Sequence, residues 1–450
     1  MNLEFFITKR IAFSGNKSFS NFIAKIAVTA VALSVAVMVI TTALVNGFQD
    51  EISRKIFGFW GHIHISSFDS SRSFEDTHPI SKNQPFVKSL DTLANIHHIQ
   101  VYAHKPGIIK TDTDIEGVIL KGLDTDFDWD FFKQYLIEGE PLALSDTGKV
   151  NEVIISKITS NRLRLKVGDN LFIYFAEKPI KIRKLKIKGI FSTGLSEYDE
   201  KFALTDIKHI QQLNQWEDDD VGGFEVFLKD THQNTPIHSF LSGFTFYVYD
   251  YLQSIIFYFF YEHFGWEWAN TEKLDAIDSM AEHIHYNVLP NALNARTIKE
   301  KQTNIFEWLK LQNVNRLVIL VLMALVAVIN MITVLLIIIL ERTNMIGILK
   351  ALGAPNWRIR KIFLYNSAFT IGLGLIIGNI IGIGLCLLQQ EFGFIRLPEE
   401  SYYIQIAPVS LDFFVIAGLN LGTIVICIFA LILPSYLVTR IDPIKAIRFS

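Results

Sequence analysis

Uncharged apolar windows divide the chain into a membrane part and a polar part. Four windows contain no charged residue: 26–44, 317–340, 362–388 and 413–439. About 20 apolar residues at a rise of about 1.5 Å per residue cross the roughly 30 Å hydrocarbon core of a bilayer, so each window is long enough to span it. Core helices of soluble proteins rarely run this long without a polar face, which disfavours that alternative. The pattern predicts four transmembrane helices, one near the N-terminus and three near the C-terminus.

The long stretch between the first two windows shows the period-two alternation of β-strands, broken by turns. Strands are predicted at 61–65, 117–122, 152–156, 170–175, 184–188 and 224–228, and short helices at 157–165 and 206–213. Apolar residues at helical spacing then predict helix over 272–310, interrupted by Pro290. The predicted fold is therefore a membrane protein with four transmembrane α-helices, arranged 1+3, and a large α+β domain between helices 1 and 2.

The distribution of basic residues predicts the orientation. The loop 341–361 carries five basic residues against one acidic residue, and the N-terminal segment and the C-terminal tail are also basic. The loop between the third and fourth windows has one basic residue against four acidic ones. Because basic residues in short flanking segments stay in the cytoplasm, both termini and the 341–361 loop are predicted to be cytoplasmic and the large domain extracytoplasmic. That domain holds 28 basic and 38 acidic residues, which disfavours a nucleic-acid partner.

These patterns predict the boundaries of the segments. They are a cytoplasmic amphipathic segment (1–22), helix 1 (23–48), a periplasmic α+β domain (49–315), helix 2 (316–340), a cytoplasmic loop (341–361), helix 3 (362–388), a periplasmic loop (389–412), helix 4 (413–439) and a cytoplasmic tail (440–450). Helix 1 is interpreted as an uncleaved anchor, since its apolar core exceeds that of a signal peptide and no A-x-A site follows. An aromatic insert at 237–268 is interpreted as interfacial, because a fifth crossing would break the charge topology.

Motifs that would indicate an enzyme or a metal site fail on inspection. His62 and His64 alternate within a predicted strand without nearby cysteines or paired carboxylates, which is typical of surface residues. The histidines at 97–98 and at 283 and 285 are interpreted in the same way. Neither G-x-S-x-G nor H-E-x-x-H occurs. We therefore predict no catalytic residue, no metal site and no cofactor.

The predicted spans favour helix packing over conduction. They contain no ionisable residue of the kind that lines a transport pathway, and their polar content is limited to residues such as Asn379 and Asn420. The third span instead has Gly374, Gly378 and Gly382 at intervals of four, which favours close approach of another helix, with a loosely packed or kinked helix as the alternative.

The loop 341–361 is the most specific stretch of the sequence, reading ERTNMIGILKALGAPNWRIRK. Thr343 or Asn344 can cap a short helix, Gly353 suits its left-handed C-terminal position, and Pro355 opens the next segment. The predicted helix has two to three turns. It shows an apolar surface formed by Met345, Ile346, Leu349 and Leu352. Such a surface on a charged loop implies contact with the membrane or with a groove on a protein.

This loop and the glycine-rich span after it resemble permeases of the FtsX and MacB type of ABC transporter. Further similarity to the lipoprotein-releasing (LolC/LolE-like) branch occurs at 5–10, 45–48, 117–124, 167–169, 189–194, 197–199 and 441–448. The resemblance implies that the short helix is a coupling helix that docks on a cytoplasmic ATPase. Its residues would be Glu341, Arg342, Met345, Ile346, Gly347, Leu349, Lys350, Ala351, Leu352 and Gly353.

The resemblance also implies a function and partners. The expected function is that of a permease subunit that transmits the motion of a separate ATPase to its periplasmic domain, for lipoprotein release from the bacterial inner membrane. Expected partners are ABC ATPase subunits, a second permease forming a homo- or heterodimer, membrane lipid, lipoproteins and a periplasmic carrier. Two features depart from the branch: a compact turn at 176–180 replaces a long carrier-binding loop, and the insert 237–268 is additional. Alternatives are a MacB-like peptide or toxin efflux subunit, an FtsX-like regulator of cell-wall hydrolases, and an independent membrane enzyme.

Overall fold

The structure is a computed structural model that describes residues 19–68, 78–111, 114–229, 272–398 and 402–440. The aromatic insert predicted at 237–268 and the C-terminal tail beyond residue 440 lie outside the described residues, as does the N-terminal segment up to residue 18.

Helices and strands alternate through the large domain, and the elements described after residue 297 are all helices. The helices are α1 (Phe19–Trp60), α2 (Pro85–Asp91), α3 (Asp130–Tyr135), α4 (Lys157–Leu163), α5 (Ser196–Asp199), α6 (Lys208–Asn214), α7 (Glu272–Asn287), α8 (Ile298–Lys301), α9 (Thr303–Glu341), α10 (Thr343–Ala351), α11 (Asn356–Phe392) and α12 (Phe413–Ser435). The strands are β1 (Ile63–Ser67), β2 (Ile80–Ser81), β3 (Ile96–Lys110), β4 (Ile115–Leu123), β5 (Leu136–Gly139), β6 (Glu152–Ser156), β7 (Asn170–Phe175), β8 (Lys181–Phe191), β9 (Phe202–Asp206), β10 (Asp220–Val221), β11 (Gly223–Leu228) and β12 (Leu293–Thr297).

Among the described residues, four helices are long and apolar enough to cross a membrane: α1, α9, α11 and α12. This confirms the predicted 1+3 arrangement. Helices α1 and α9 also run well past the uncharged windows, to Trp60 at the end of α1 and back to Thr303 at the start of α9. They do so because residues beyond the windows, such as Ile56 and Leu309, are buried in the core of the large domain.

The large domain is built on one ten-stranded sheet, in the order β12-β1-β11-β3-β4-β9-β6-β8-β5. Strand β7 pairs with both β3 and β8, so that β3, β4, β9, β6, β8 and β7 form a closed ring. The β4–β9 and β6–β8 pairs are parallel, and the other pairs in this sheet are antiparallel. The α+β prediction is confirmed, and each of the six predicted strands is present.

The sequence patterns missed four strands of this sheet: β3, β5, β9 and β12. Strand β12 lies inside the 272–310 stretch, where only helix broken at Pro290 was predicted. Its residues Leu293 to Thr297 pair with β1 in an antiparallel register that joins Ile65 to Ala295. The sheet therefore decides the conformation of a polar segment whose own pattern is weak.

The four membrane helices pack around a second apolar core. Its residues include Val31, Val35 and Val39 of α1, Met331 and Leu335 of α9, Ile371 and Leu375 of α11, and Leu419 and Leu431 of α12. Ile346 of the short helix α10 and Ile359 at the start of α11 belong to the same core. The loop between the second and third spans is thereby packed onto the membrane bundle.

Candidate coupling site and force path

Helix α10 follows α9 with Arg342 as the intervening residue. The Ile346 amide donates to the Arg342 carbonyl at 3.0 Å, so the helical hydrogen bonding resumes at once. The prediction that Thr343 or Asn344 caps this helix is wrong, since Arg342 occupies the cap position. Thr343 instead donates its hydroxyl back to the Leu340 carbonyl at 2.6 Å. The junction is therefore a one-residue break between two helices.

The C-terminal end of α10 is closed by a Schellman motif. Gly353 has φ +85°, and its amide donates to the Lys350 carbonyl at 3.0 Å. The Ala354 amide donates to the Leu349 carbonyl at 3.0 Å, which completes the motif. This confirms the left-handed role predicted for Gly353. Pro355 then stands in extended conformation at the start of α11. The loop is thus held rigidly at both ends.

The apolar surface of α10 differs from the predicted one. Ile346 is fully buried in the membrane core and Gly347 is buried, while Met345 and Leu349 are half-buried against the same core. The prediction that Ile346 lies on the exposed face is wrong, because this side of the helix faces the spans. The exposed apolar side chains are Leu352, with 80% of its surface accessible, and Ile348, with 53%.

A third exposed apolar side chain, Trp357, stands just beyond the turn and is 56% accessible. Sequence reasoning missed Ile348 and Trp357, although the spacing of four between positions 348 and 352 marks one helix face. Among the other residues of the predicted coupling set, Glu341 and Ala351 are exposed and Arg342 is half-buried. Lys350 donates to the Thr439 carbonyl at 3.1 Å. The loop therefore exposes three apolar side chains, of which Ile348 and Leu352 share one helix face. We call these two residues the apolar patch.

The glycine stripe of α11 lies against α1. A methyl group built on Gly378 would come within 2.6 Å of the Ala32 carbonyl oxygen, and one on Gly374 within 2.7 Å of Val31 Cβ. At Gly382 the nearest atom would be Val39 Cβ at 3.1 Å. The absence of side chains at these three positions is what lets the first and third spans approach so closely.

The two asparagines of the spans pair with each other. Asn379 of α11 donates to the Asn420 side-chain oxygen at 2.7 Å, and Asn420 of α12 donates back to the Asn379 oxygen at 3.1 Å. Each amide also donates to the carbonyl four residues earlier in its own helix, at 2.8 Å. These polar groups are therefore satisfied inside the bundle and fix the register of the third span against the fourth.

At its other end, α1 terminates in a cluster of buried charges within the large domain. We call it the stalk node, and it comprises Lys121 of β4, Glu225 of β11, Gln100 of β3, His64 of β1 and Lys301 of α8. Lys121 and Glu225 form an ion pair at 2.7 Å, and both side chains are fully buried. Gln100 donates to the second Glu225 oxygen at 2.8 Å. The ion pair and its glutamine partner thus come from three strands, β3, β4 and β11.

The stalk node holds the last turn of α1 by its carbonyl groups. The Lys121 ammonium donates to the Phe59 carbonyl at 2.6 Å, and it also lies 5.0 Å from the ring centres of both Phe59 and Trp60. His64 Nε2 lies 2.6 Å from the Trp60 carbonyl. Carbonyls in the last turn of a helix have no partner within the helix, so these donors satisfy them.

Lys301 extends the stalk node to the start of the second span. Its ammonium lies 2.9 Å from His64 Nδ1. Because an ammonium can only donate, Nδ1 accepts, and the ring proton is on Nε2, where it is donated to Trp60. Burial, followed by the charges of Lys301 and Lys121, holds the pKa of His64 well below its ordinary value. The prediction that His64 is an ordinary surface residue is therefore wrong.

Burial dominates the electrostatics of the stalk node. It lowers the pKa of Lys121 and raises the pKa of Glu225, in each case against the influence of the other member of the pair. It also lowers the pKa of Lys301 to about 8, while Glu225 acts in the opposite direction. Charges desolvated to this degree are stable only while each keeps its partner, so the node resists separation of its parts.

The sequence is similar to two protein families, and to named proteins along nearly its whole length. Residues 26–235 match the MacB-like periplasmic core domain, and residues 317–443 match the FtsX-like permease C-terminal family. The lipoprotein-releasing system transmembrane protein LolC of Xylella fastidiosa (strain 9a5c) is 20% identical and is aligned over 96% of this chain and 95% of its own length.

Two further relatives are also aligned over nearly their whole length. LolC of Neisseria meningitidis serogroup B is 21% identical, with 96% of this chain and 95% of that protein covered. LolE of Haemophilus influenzae is 20% identical, with 99% of each covered. Among solved structures, the periplasmic region of MacB from Actinobacillus actinomycetemcomitans covers 54% of this chain and 91% of its own, at 10% identity and a TM-score of 0.31. The extracellular domain of the transporter YknZ from Gram-positive bacteria covers 38% and 85%, at 12% identity and a TM-score of 0.28.

The two family matches fall on the two parts of the molecule that the fold separates. The MacB-like match takes in α1 and most of the sheet domain, and the FtsX-like match takes in the three later spans with α10 between them. The chain therefore belongs to the FtsX/MacB superfamily of ABC transporter permeases, and its named relatives are lipoprotein-releasing transmembrane proteins of the LolC/LolE branch.

Proposed function

We propose that this chain is the transmembrane subunit of an ABC transporter that releases lipoproteins from the bacterial inner membrane. In this proposal a separate cytoplasmic ATPase moves α10, the membrane helices carry that motion, and the sheet domain acts on the substrate in the periplasm. The observation that carries the proposal is the apolar patch of Ile348 and Leu352 on a helix whose opposite side is packed into the membrane bundle.

The geometry of α10 suits an input of force. Exposed apolar side chains on a basic loop favour a complementary groove on a partner protein. Ile346, on the buried side, packs against the spans, and the Schellman motif at Gly353 prevents the C-terminal end from fraying. A push on the patch therefore displaces the second and third spans and does not unwind the loop.

The stalk node suits the output of that force. It binds the end of α1 through Phe59 and Trp60 and approaches the second span through Lys301. Because separating buried charges from their partners is costly, the sheet domain follows the two helices as one body. Motion of the membrane helices thereby reaches the periplasmic domain.

The substrate follows from the relatives and agrees with the chemistry of the spans. Lipoproteins are named as the released substrate for LolC and LolE. A lipid-anchored protein extracted from the outer leaflet does not cross the bilayer, so spans without ionisable residues are sufficient. The proposed partners are ATPase subunits, a second permease, membrane lipid, lipoproteins and a periplasmic carrier. The short connection from β7 to β8, between Phe175 and Lys181, limits the contribution of that turn to binding a carrier.

The docking of the ATPase is tested by substitutions at the exposed patch. Ile348→Asp combined with Leu352→Asp should abolish co-purification of the ATPase with the full-length permease, while Leu352→Met, which keeps an apolar side chain, should retain it. Gly347→Asp is unsuitable for this purpose, because Gly347 is buried and its substitution disturbs packing. Undiminished capture of the ATPase by the double aspartate variant would overturn the docking assignment.

The substrate is tested by depletion of the protein in its own host. Lipoproteins destined for the outer membrane should then accumulate in the inner membrane, as measured by fractionation. Correct lipoprotein sorting with altered septation would instead indicate a regulator of cell-wall hydrolases. Correct sorting with sensitivity to an exported peptide or toxin would indicate an efflux subunit.

A further inference from the structure

The cytoplasmic end of the fourth span has an interrupted pattern of backbone hydrogen bonds. Pro434 lies inside α12, and the Tyr436 amide donates to the Leu433 and Pro434 carbonyls. The chain tightens there into a short 3-10 helix, Tyr436–Arg440. The carbonyl of Ile432, one turn before Tyr436, is thereby left for a side-chain donor.

Arg360 of α11 supplies that donor from the neighbouring span. Its Nη2 donates to the Ile432 carbonyl at 3.2 Å and to Ser435 Oγ at 3.0 Å, and its Nε donates to the same Oγ at 3.2 Å. Ser435 is fully buried, and its own hydroxyl donates to the Ile432 carbonyl at 2.7 Å. The guanidinium therefore binds two acceptors that belong to the end of the fourth span.

Aromatic rings hold the guanidinium in this position. The Trp357 ring centre lies 5.5 Å from the Arg360 guanidinium carbon, and the Tyr436 ring centre lies 5.7 Å from it. Trp357 belongs to the first turn of α11, whereas Tyr436 belongs to the end of the fourth span. Stacking on planar rings and fork-shaped donation are properties of arginine that lysine does not share.

Lys350 makes a second connection between the same two regions. It lies on the last turn of α10, on the other side of the Gly353 turn, and donates to the Thr439 carbonyl at 3.1 Å. Cations near the C-terminal end of a helix also interact favourably with its dipole. The loop that carries the apolar patch thus binds the end of the fourth span on both sides of the Gly353 turn, through Lys350 before it and Arg360 after it. We call this arrangement the span-four clamp, formed by Lys350, Arg360, Ser435 and the carbonyls of Ile432 and Thr439.

We propose that Arg360 is a positioning residue that makes the fourth span move together with the coupling helix. This inference rests on the proposed function, in which force enters at α10. A push on α10 reaches the second and third spans through the continuous chain. Within the described residues, the fourth span is connected to α10 at this end by side-chain hydrogen bonds and packing. The clamp adds a direct connection, so the three C-terminal spans shift as one unit.

The clamp is tested by a distance measurement across it. Spin labels are placed at Asn344, which is exposed on α10, and at Leu437, which is exposed on the 3-10 helix, in a full-length protein whose buried Cys386 and Cys427 have been replaced by Ala. In the complex with the ATPase, the native distance distribution should be narrow and should stay unchanged when ATP is trapped. In Arg360→Gln the distribution should broaden, with about a tenfold rise in the open population or more, because charge-assisted hydrogen bonds are lost.

Matched variants separate positioning from charge and from folding. Lys361→Gln removes the neighbouring positive charge, whose ammonium lies over the Trp357 ring at 5.5 Å, and should leave the distances and the ATP-driven release of substrate unchanged. Arg360→Lys, which keeps the positive charge, should restore part of the narrow distance distribution and part of the ATP-driven release that Arg360→Gln loses. Ser435→Ala should resemble Arg360→Gln in a milder form, and the double variant should be no worse than Arg360→Gln, because both remove one interaction.

Each outcome decides one question. ATPase capture should be undiminished in Arg360→Gln while ATP-driven release falls; loss of capture would assign Arg360 to the docking surface and overturn its role in positioning. Distances and release equal to those of Lys361→Gln would also overturn it. If the native protein captures no ATPase, the proposed function fails, yet the clamp is still measured in the protein alone, where Arg360→Gln should broaden the distribution.

Discussion

Replacing Gly378 with alanine tests whether contact between the first and third spans depends on the glycine stripe. The added methyl group would lie 2.6 Å from the Ala32 carbonyl oxygen and 2.8 Å from Val35 Cβ. Normal contact begins near 3.4 Å, so the two helices must separate locally by about 0.8 Å, since 3.4 minus 2.6 is 0.8. The obstructing atoms include backbone, which cannot rotate away as a long side chain can.

The expected magnitude follows from two opposed effects. Overpacking of this kind costs about 1–3 kcal/mol, whereas glycine to alanine within a helix gains about 1 kcal/mol. A matched control in the same helix is Gly384→Ala, because a methyl group there meets no atom within 4 Å. Gly384→Ala should therefore stabilise the protein by up to about 1 kcal/mol, and Gly378→Ala should be about 2 kcal/mol less stable than that control.

The assay is thermal unfolding of the detergent-solubilised full-length protein, followed by the loss of folded monodisperse protein. The structure also predicts an order within the stripe. Gly374→Ala, with its nearest contact at 2.7 Å, should behave like Gly378→Ala, and Gly382→Ala, with its nearest contact at 3.1 Å, should be milder. Equal shifts for Gly378→Ala and Gly384→Ala would refute the claim that close packing on α1 explains the stripe.

Three further predictions concern buried charges in the large domain. Glu225→Gln leaves Lys121 buried without a counter-charge and should lower the free energy of unfolding by about 3–5 kcal/mol in chemical denaturation, whereas Asp130→Asn in an exposed pair should change it by less than about 1 kcal/mol. Burial raises the pKa of Asp126 to about 7, so the folded protein retains this proton at a higher pH than the unfolded chain does. Stability should therefore fall as the pH rises from about 4 to 7, and Asp126→Asn should flatten that slope in a pH series of melting temperatures. The pKa of Lys301 is lowered to about 8, so the unfolded chain holds this proton up to a higher pH than the folded protein does. The free energy of unfolding should therefore rise with pH above about pH 8 in the native protein, and this rise should be absent in Lys301→Met. An identical pH dependence in native and variant proteins would contradict either assignment.

Much of the fold was predictable because it is encoded locally. Apolar windows of membrane length need no partner to be recognised, and a glycine shortly followed by proline after a helical segment is typical of a helix C-terminus. Burial alternates strictly along β7, and along β8 it alternates from Lys184 to Lys188, where one face of the strand is buried and the other is open to solvent.

The strands that escaped prediction depend on their neighbours. Strand β3 contains Pro106 and Gly107, which read as a turn. On one edge of β3, strand β11 pairs with the first part and strand β7 with the last part. Pro106 lies between these two parts, where that edge has no described partner strand. The strand tolerates a proline there because no partner on that edge requires its missing N–H. Strand β12 is polar in sequence and becomes a strand because β1 offers it an edge.

The stalk node was not predictable from a single sequence. Lys121, Glu225 and Lys301 lie far apart along the chain, and each stands at a position where a charged residue usually marks the solvent face. Burial reverses that expectation, because Lys121 and Glu225 pair with each other, Lys121 also donates to the Phe59 carbonyl of α1, and Lys301 donates to His64. The misplaced Ile346 has a similar cause: helical spacing defines a face, but only the packed bundle decides which face is outward.

Helix α1 runs without a break from Phe19 to Trp60, which gives 42 residues and a length of about 63 Å. Over that length a tilt of about 5° at one end displaces the other end by about 5 Å. A rotation too small to disturb the packing of the spans is therefore amplified into a movement as large as one turn of a helix. In the proposed function the first span is therefore a lever arm, because its continuous backbone would carry a small rotation in the membrane to the large domain.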